Sequence, residues 1–150
     1  VWVGKMKSTY NALAASHQLL DLYIDASNFI RIIYESASGI RMQFRGSAVT
    51  ASVDYATLPA IDDYLILIGT IDASGNTAFY VNGMLVGTGS GVGPISPAAA
   101  TAWIGCQQAA TLFDVSKPLR CELDHPAMTA AQANSYSRFL RDKFNLPITI

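Results

Sequence analysis

Charged residues are scarce in this sequence. They make up 14% of its 150 residues, whereas an average soluble domain has roughly 25%. Ten basic and eleven acidic side chains leave a formal net charge of −1. This balance provides none of the basic surface that binding to nucleic acid or to an anionic membrane requires. We therefore expect no nucleic-acid partner.

Long hydrophobic runs are missing as well. The longest strongly apolar run, Leu65 to Gly69, is far shorter than the ~20 residues of a membrane-spanning helix. No charged-then-apolar leader opens the chain, so we expect no membrane insertion. Because the sequence begins at Val1 and not at a methionine, we expect it to be an excised or processed part of a longer protein.

Cysteine is rare, and the spacing of the two cysteines does not decide whether they form a disulfide. Cys106 and Cys121 lie fifteen positions apart on two predicted strands. They can form a disulfide only if those strands are neighbours in register, and the sequence leaves open whether they pair or remain buried thiols. Neither has a second cysteine at C-x-x-C spacing, so neither indicates a metal site.

Apolar residues, by contrast, are abundant. They make up 51% of the chain, with a mean hydropathy of +0.27. A chain of this length can bury roughly two thirds of the surface that it exposes when unfolded. We therefore expect one domain over residues 1–150 that folds without disulfides or metals. Part of the apolar surface is expected to face another protein, and an alanine-rich loop composition is the alternative explanation.

Alternation with a period of two is clearest from Ile40 to Arg45, which predicts a half-buried strand. The preceding run, Phe29 to Tyr34, becomes its hairpin partner if Tyr34 pairs with Ile40. That register puts six apolar side chains on the core face: Ile30, Ile32, Tyr34, Ile40, Met42 and Phe44.

Two further segments predict a β-meander. Tyr64 to Ile68 is apolar on both faces, which is typical of a central strand covered from both sides or of a strand whose outer face meets a partner. It leads into two turn signals, Asp72 to Asn76 and Asn82-Gly83, where Gly and Asn tolerate the backbone of tight turns. The remaining predicted strands are Trp2 to Met6, His17 to Ile24, Ala48 to Asp54, Ala102 to Cys106 and Arg120 to Asp124.

One helix is predicted at the end of the chain. Thr129 can act as its N-cap with Gln132 three residues later, which is a capping-box pattern. Asn145 and Pro147 mark its end. Residues at helical spacing predict one apolar stripe: Tyr136, Phe139, Leu140 and Phe144.

The whole pattern resembles the laminin-G-like branch of the concanavalin-A-like lectin and glucanase superfamily. The resemblance depends on Phe79-Tyr80-Val81-Asn82-Gly83, on Trp103-Ile104-Gly105, and on Glu122-Leu123 followed by the segment 127–132. A helix with an F-L…K-F-x-L-P tail, here from Phe139 to Pro147, is similar to microbial and bacteriophage members. The resemblance implies an all-β fold: a two-sheet antiparallel jelly-roll β-sandwich with one C-terminal α-helix.

The same superfamily contains glucanases, so catalysis has to be considered. Glycoside hydrolysis requires two carboxylates that flank the scissile bond. Glu122 and Asp124 alone are spaced to project from one strand face, and no third acid follows at the family's offset. His17 and His125 have no recognisable nucleophile motif beside them. We expect no enzymatic activity.

Laminin-G-like domains often bind calcium at their rim, which the resemblance makes a possibility here. The loops offer several carboxylates, although none repeats the D-x-[DN]-x-[DN]-G spacing. Asp72 is expected to cap its own turn instead. We expect no cofactor, and calcium is the alternative, with Asp25, Asp62 and Asp63 as weak candidate ligands and Asp54, Asp72 and Asp114 as further loop acids.

A binding surface is predicted on the hairpin face opposite the core. In the register above, that face carries Ile33 together with aromatic, cationic and amide side chains, and Arg and aromatic groups are favoured at interface hot spots. Strand alternation also sets Trp103 apart from Ala102 and Ile104, so it can offer a stacking surface to a sugar ring. The alternative is that a loop or the terminal helix covers this face. The candidate ligand-binding residues are Phe29, Arg31, Arg41, Gln43, Arg45 and Trp103.

The function most consistent with the sequence is that of a non-catalytic binding or adhesion module. By resemblance, we expect a bacteriophage structural protein, such as a decoration, tail or fibre component, at the virion surface or in an extracellular assembly. Its expected partners are protein neighbours, further copies of itself in a homo-oligomer, or host glycans. The alternatives are a secreted bacterial carbohydrate-binding module and a degenerate glycoside hydrolase.

Overall fold

The computed structural model describes residues 1–6, 17–35, 39–57, 59–60, 62–95, 101–104, 117–122 and 127–150. These residues form two antiparallel sheets of five strands each and a C-terminal helix. The first sheet has the order β10-β1-β6-β7-β8, with β1 Trp2–Lys5, β6 Tyr64–Ile71, β7 Thr77–Val81, β8 Met84–Gly89 and β10 Lys117–Cys121. The second has the order β5-β4-β3-β2-β9, with β2 His17–Asp25, β3 Asn28–Glu35, β4 Gly39–Gly46, β5 Val49–Tyr55 and β9 Thr101–Ile104.

The predicted two-sheet antiparallel sandwich with one helix is therefore confirmed. The β3–β4 hairpin has the predicted register, since Tyr34 pairs with Ile40, Ile32 with Met42 and Ile30 with Phe44. These side chains pack into the main core between the sheets, against Trp2, Leu67 and Phe79 of the first sheet among others. Register is strongly specified here because a one-residue slip would turn every apolar side chain outward.

β6 is the central strand of the first sheet, and both of its faces are covered. Leu65 and Leu67 point into the core between the sheets. Ile66 and Ile68 lie in a second apolar cluster on the outer side of the same sheet. This arrangement explains why the run from residue 64 to residue 68 lacks alternation, as the sequence predicted.

The helix α1, Ala130–Phe144, supplies the other half of that second cluster. Its Ala133 and Leu140, with Leu146 beyond its end, pack on Val3, Ile66, Ile68 and Tyr80 of the first sheet. α1 therefore forms a third layer against the first sheet, and within the described ranges no helix lies on the outer side of the second sheet.

Both predicted ends of α1 are confirmed. The Thr129 hydroxyl accepts a hydrogen bond from the Gln132 backbone, and the Gln132 side chain accepts one from the Thr129 backbone at 2.9 Å. Asn145 ends the helix in the left-handed conformation, with φ of 50°. The predicted apolar stripe is wrong in one member, because Phe139 is 50% exposed. The buried line follows Ala133, Ser137 and Leu140 instead.

The meander turns are also as predicted. Asn82 and Gly83 both have positive φ, 49° and 80°, which is the backbone of a two-residue hairpin turn that favours Asn-Gly. At the other turn, Asp72 accepts hydrogen bonds from the backbone N–H groups of Ser74 and Asn76 at 2.8 and 2.9 Å. Asp72 therefore caps its own turn.

Strand boundaries differ from prediction near the end of the sheet region. The strand expected from Arg120 to Asp124 ends at Cys121, so Glu122 follows β10 instead of lying within it. Residues 123–126 are outside the described residues, as are Gly105 and Cys106, the predicted end of β9. Cys121 packs against the core, and its pairing with Cys106 stays untested. None of the described helices has the length and apolar character needed to span a bilayer.

Candidate functional site

The outer face of the second sheet carries the residues that the sequence singled out. Strand register arranges its side chains in three rows that cross β2, β3, β4 and β5. We call this surface the polar face. Its first row is Gln18, Ile33, Arg41 and Asp54; the second is Asp21, Arg31, Gln43 and Ser52; the third is Tyr23, Phe29, Arg45 and Thr50.

The second row contains a buried ion pair. Nε of Arg31 lies 2.8 Å from Oδ1 of Asp21, and the Asp21 side chain is fully buried. A buried carboxylate is tolerated only when it is paired and hydrogen-bonded. Arg31 is therefore fixed in place by Asp21. Prediction from sequence missed Asp21, although its alternation with Leu20 and Leu22 placed it on this face.

The first row contains a more exposed ion pair. Arg41 meets Asp54 through two contacts, Nε to Oδ1 at 2.6 Å and Nη2 to Oδ2 at 3.0 Å. The hydrogen bond from Arg41 lowers the pKa of Asp54 below its usual value, against the opposing effect of partial burial. This two-contact geometry is the strong form of an Arg–carboxylate pair.

The third row places an aromatic ring beneath two guanidinium groups. Cζ of Arg31 lies 4.0 Å from the centroid of the Phe29 ring, and Cζ of Arg45 lies 5.9 Å from it. Such contacts are attractive because the ring face is electron-rich. Phe29 is only 6% exposed and Ile33 only 7%. Phe29 and Ile33 lie on the predicted face, but both are largely buried, so its accessible groups are mainly polar and cationic.

Gln43 and Arg45 make few hydrogen bonds within this face. The Gln43 amide makes one long hydrogen bond to the Ser52 hydroxyl, at 3.4 Å. Nε of Arg45 is buried and has no hydrogen-bond partner among the described residues. Both side chains are partly exposed, so they can contact a ligand placed on the face.

Trp103 was predicted to join this surface. The register of β2 and β9 pairs it with Asp21, which belongs to the polar face. Its side chain is outside the described part of the structure. Its role in stacking on a sugar therefore stays a prediction.

The candidate calcium ligands do not converge in the described residues. Asp25 accepts hydrogen bonds from Ser27 and Asn28, which lower its pKa. Asp62 pairs with Lys5 at 2.9 Å, and Asp63 accepts from the Ala60 backbone at 2.7 Å. No cluster of three or more potential metal ligands occurs within the residues described. Asp114 is outside them, and calcium binding stays a prediction.

Glu122, one of the two acids considered for catalysis, makes contacts within the protein. Glu122 forms an ion pair with Arg120 and accepts a hydrogen bond from the Tyr136 hydroxyl of α1. It thereby connects β10 to the helix. Asp124 and His125, which were considered with it, are outside the described residues.

A cavity that sequence reasoning missed opens at one end of the sandwich. Its volume is about 630 Å³, and its inner wall includes Leu20, Met42 and Phe44. The turn at residues 72–75 and the segment 92–95 form part of its mouth. Of the acidic residues that line it, Asp72 caps its own turn and Glu122 contacts Arg120 and Tyr136.

Comparison with known proteins gave matches by structure alone. No family model matches the sequence. No curated protein matches it either.

Solved structures do match. The receptor-binding domain of botulinum neurotoxin type G superposes with a TM-score of 0.62 at 15% identity, and the binding domain of Paraclostridial Mosquitocidal Protein 1 with 0.64 at 10%. Each match covers 93% of this chain but only 36% of the other. The CBM40 domain of a Ruminococcus gnavus IT-sialidase, bound to α2,3-sialyllactose, gives 0.57 at 12% identity over 91% of this chain and 80% of that one.

Identities this low establish the fold alone. The chain has a two-sheet β-sandwich fold like that of these domains, and the predicted fold class is confirmed. It spans about a third of the length of the toxin domains that it matches.

Proposed function

We propose that this chain is a non-catalytic binding module that holds a glycan against the polar face of its second sheet. The observation that carries the proposal is the difference between the two outer faces: α1 packs on one, while the other presents guanidinium, amide and hydroxyl groups in register. Sugars are recognised by such hydrogen-bonding groups placed beside aromatic rings.

The similar solved structures support this choice. Several are named as binding domains, and one is described as bound to α2,3-sialyllactose, a carbohydrate. The engagement of Glu122 by Arg120 and Tyr136 counts against the degenerate-hydrolase alternative, because a catalytic acid must reach the substrate.

A glycan array tests the proposal. The unmodified chain should bind at least one glycan class, and Gln43→Ala should weaken that binding about fivefold or more because it removes a polar group with at most one other contact. Thr88→Ala is the matched control, since Thr88 is exposed on a strand of the first sheet. Absence of binding to every glycan, or equal loss in both variants, would contradict the proposal.

A second proposal concerns assembly. Met84 and Leu85 are 63% and 50% exposed on β8, the edge strand of the first sheet. Exposed apolar side chains at a sheet edge favour contact with another chain. They support the proposal of a homo-oligomeric laminin-G-like component of a larger assembly, such as a bacteriophage decoration, tail or fibre protein at the virion surface or outside a cell.

Light scattering tests this second proposal. The chain should give a mass that is a multiple of 16.1 kDa, and Met84→Ser combined with Leu85→Ser should return it to the monomer. A monomer at all concentrations up to the millimolar range would contradict self-assembly.

A further inference from the structure

The three arginines of the polar face differ in their partners. Three of its side chains are arginines, and two of them face a carboxylate: Arg31 is paired with Asp21 and Arg41 with Asp54. In the described part of the chain, Arg45 has no such partner, and its recorded contact is with the Phe29 ring. The Arg45 guanidinium therefore has no carboxylate partner within the three rows.

The position of Arg45 makes its charge usable by a ligand. Register places Arg45 between Phe29 on β3 and Thr50 on β5. Its neighbours in the adjacent row are Gln43 and Ser52, which offer an amide and a hydroxyl. An uncompensated guanidinium beside neutral hydrogen-bonding groups is a recognition element for a planar anion, because its fork matches a carboxylate in two contacts.

We propose that the ligand of this face is an acidic sugar whose carboxylate is bound by Arg45, an inference that rests on the glycan-binding function proposed above. A sugar carboxylate is planar and carries one negative charge, so it fits a single guanidinium fork in two contacts. The neutral hydroxyls of the same sugar contact Gln43 and Ser52.

A matched set of three sugars tests the inference: lactose, α2,3-sialyllactose, and the methyl ester of α2,3-sialyllactose, in which the carboxylate charge is removed. Isothermal titration or NMR gives the three dissociation constants for the whole chain. We expect the acid to bind about tenfold more tightly than its ester, which is the usual size of a hydrogen-bonded charge pair. This preference should shrink as salt is raised.

Arg45→Gln should abolish the preference for the acid and leave the affinity for the ester unchanged. Arg45→Met is a second variant that keeps the apolar stem over Phe29. The matched control is Arg138→Gln, which removes the same charge from the exposed side of α1, where Arg138 contacts Asn134, and should keep the preference. A melting curve for each variant verifies that the fold is intact.

The outcomes separate the two proposals. If the acid and its ester bind equally well, or if both Arg45 variants keep the preference, the acidic-sugar inference is overturned while the glycan-binding function stands. If none of these sugars and no glycan on the array binds, the proposed function itself is contradicted.

Discussion

The outer faces of the two sheets differ in chemistry although both belong to five-stranded antiparallel sheets. On the first sheet, Ile66, Ile68 and Tyr80 form an apolar surface that α1 covers with Ala133 and Leu140. On the second, Asp21, Arg31, Arg41 and Asp54 neutralise one another across neighbouring strands. The outer face of the first sheet is covered by a packed helix, whereas ion pairs neutralise charged groups on the outer face of the second.

This difference shows how one outer face of such a sandwich can remain open to a ligand. An apolar outer face must be covered, since exposing it costs about 25 cal/mol per Å². A polar face that satisfies its own charges is stable without a cover. On that second face Arg45, which has no carboxylate partner among the described residues, is then available to a ligand.

The largest expected effect is at the covered face. Leu140→Ala should lower the free energy of unfolding by about 4 kcal/mol, because Leu140 is fully buried between α1 and the first sheet. Phe139→Ala, one residue away but exposed, should change it by no more than about 0.5 kcal/mol. Urea denaturation measures both. Equal losses of unfolding free energy in the two variants would mean that a different side of α1 packs against the first sheet.

The next effect is at the buried pair of the polar face. Asp21→Ala should lower the free energy of unfolding by about 3 kcal/mol, because it leaves the Arg31 charge in a largely buried position without its carboxylate. Asp54→Ala is the control at the more exposed pair, where the loss should be at most about 1 kcal/mol. A smaller loss for Asp21→Ala than for Asp54→Ala would contradict this ranking.

The smallest expected effect is a dependence of the free energy of unfolding on pH. The hydrogen bond from Arg41 holds the pKa of Asp54 below its usual 3.8. A group whose pKa is lower in the folded than in the unfolded state stabilises the fold above its unfolded pKa. That contribution is lost as the pH falls from about 4 through the folded value. The effect is limited because Asp54 is partly exposed.

Carbon NMR of the Asp54 carboxyl group measures this pKa directly. In the unmodified chain it should titrate below 3.8, and in Arg41→Gln it should move upward towards its usual value. A pKa at or above 3.8 in the unmodified chain would show that the pair does not form in solution.

Features set by local spacing could be predicted from the sequence. The β3–β4 register followed from alternation, the Asn82-Gly83 turn from backbone preference, and the capping box from Thr129 and Gln132. Each depends on residues close together in the chain.

Features set by distant packing could not be predicted in the same way. Phe29 has the right alternation for an exposed position, but two arginines lie over its ring. Phe139 is one residue from Leu140, about 100° around the helix, and the packing of α1 on the first sheet buries Leu140 and leaves Phe139 exposed. The pairing of Asp21 with Arg31 depends on the β2–β3 register, which shifts between Gln18 and Leu20.

The central claim is that the polar face binds the ligand, and chemical-shift mapping tests it most directly. The labelled chain is titrated with α2,3-sialyllactose and its backbone amide signals are followed. The account predicts that the signals of Arg31, Gln43 and Arg45 shift most, because these residues lie together on that face. Shifts confined to α1, to the first sheet, or to the cavity mouth at residues 72–75 would contradict it.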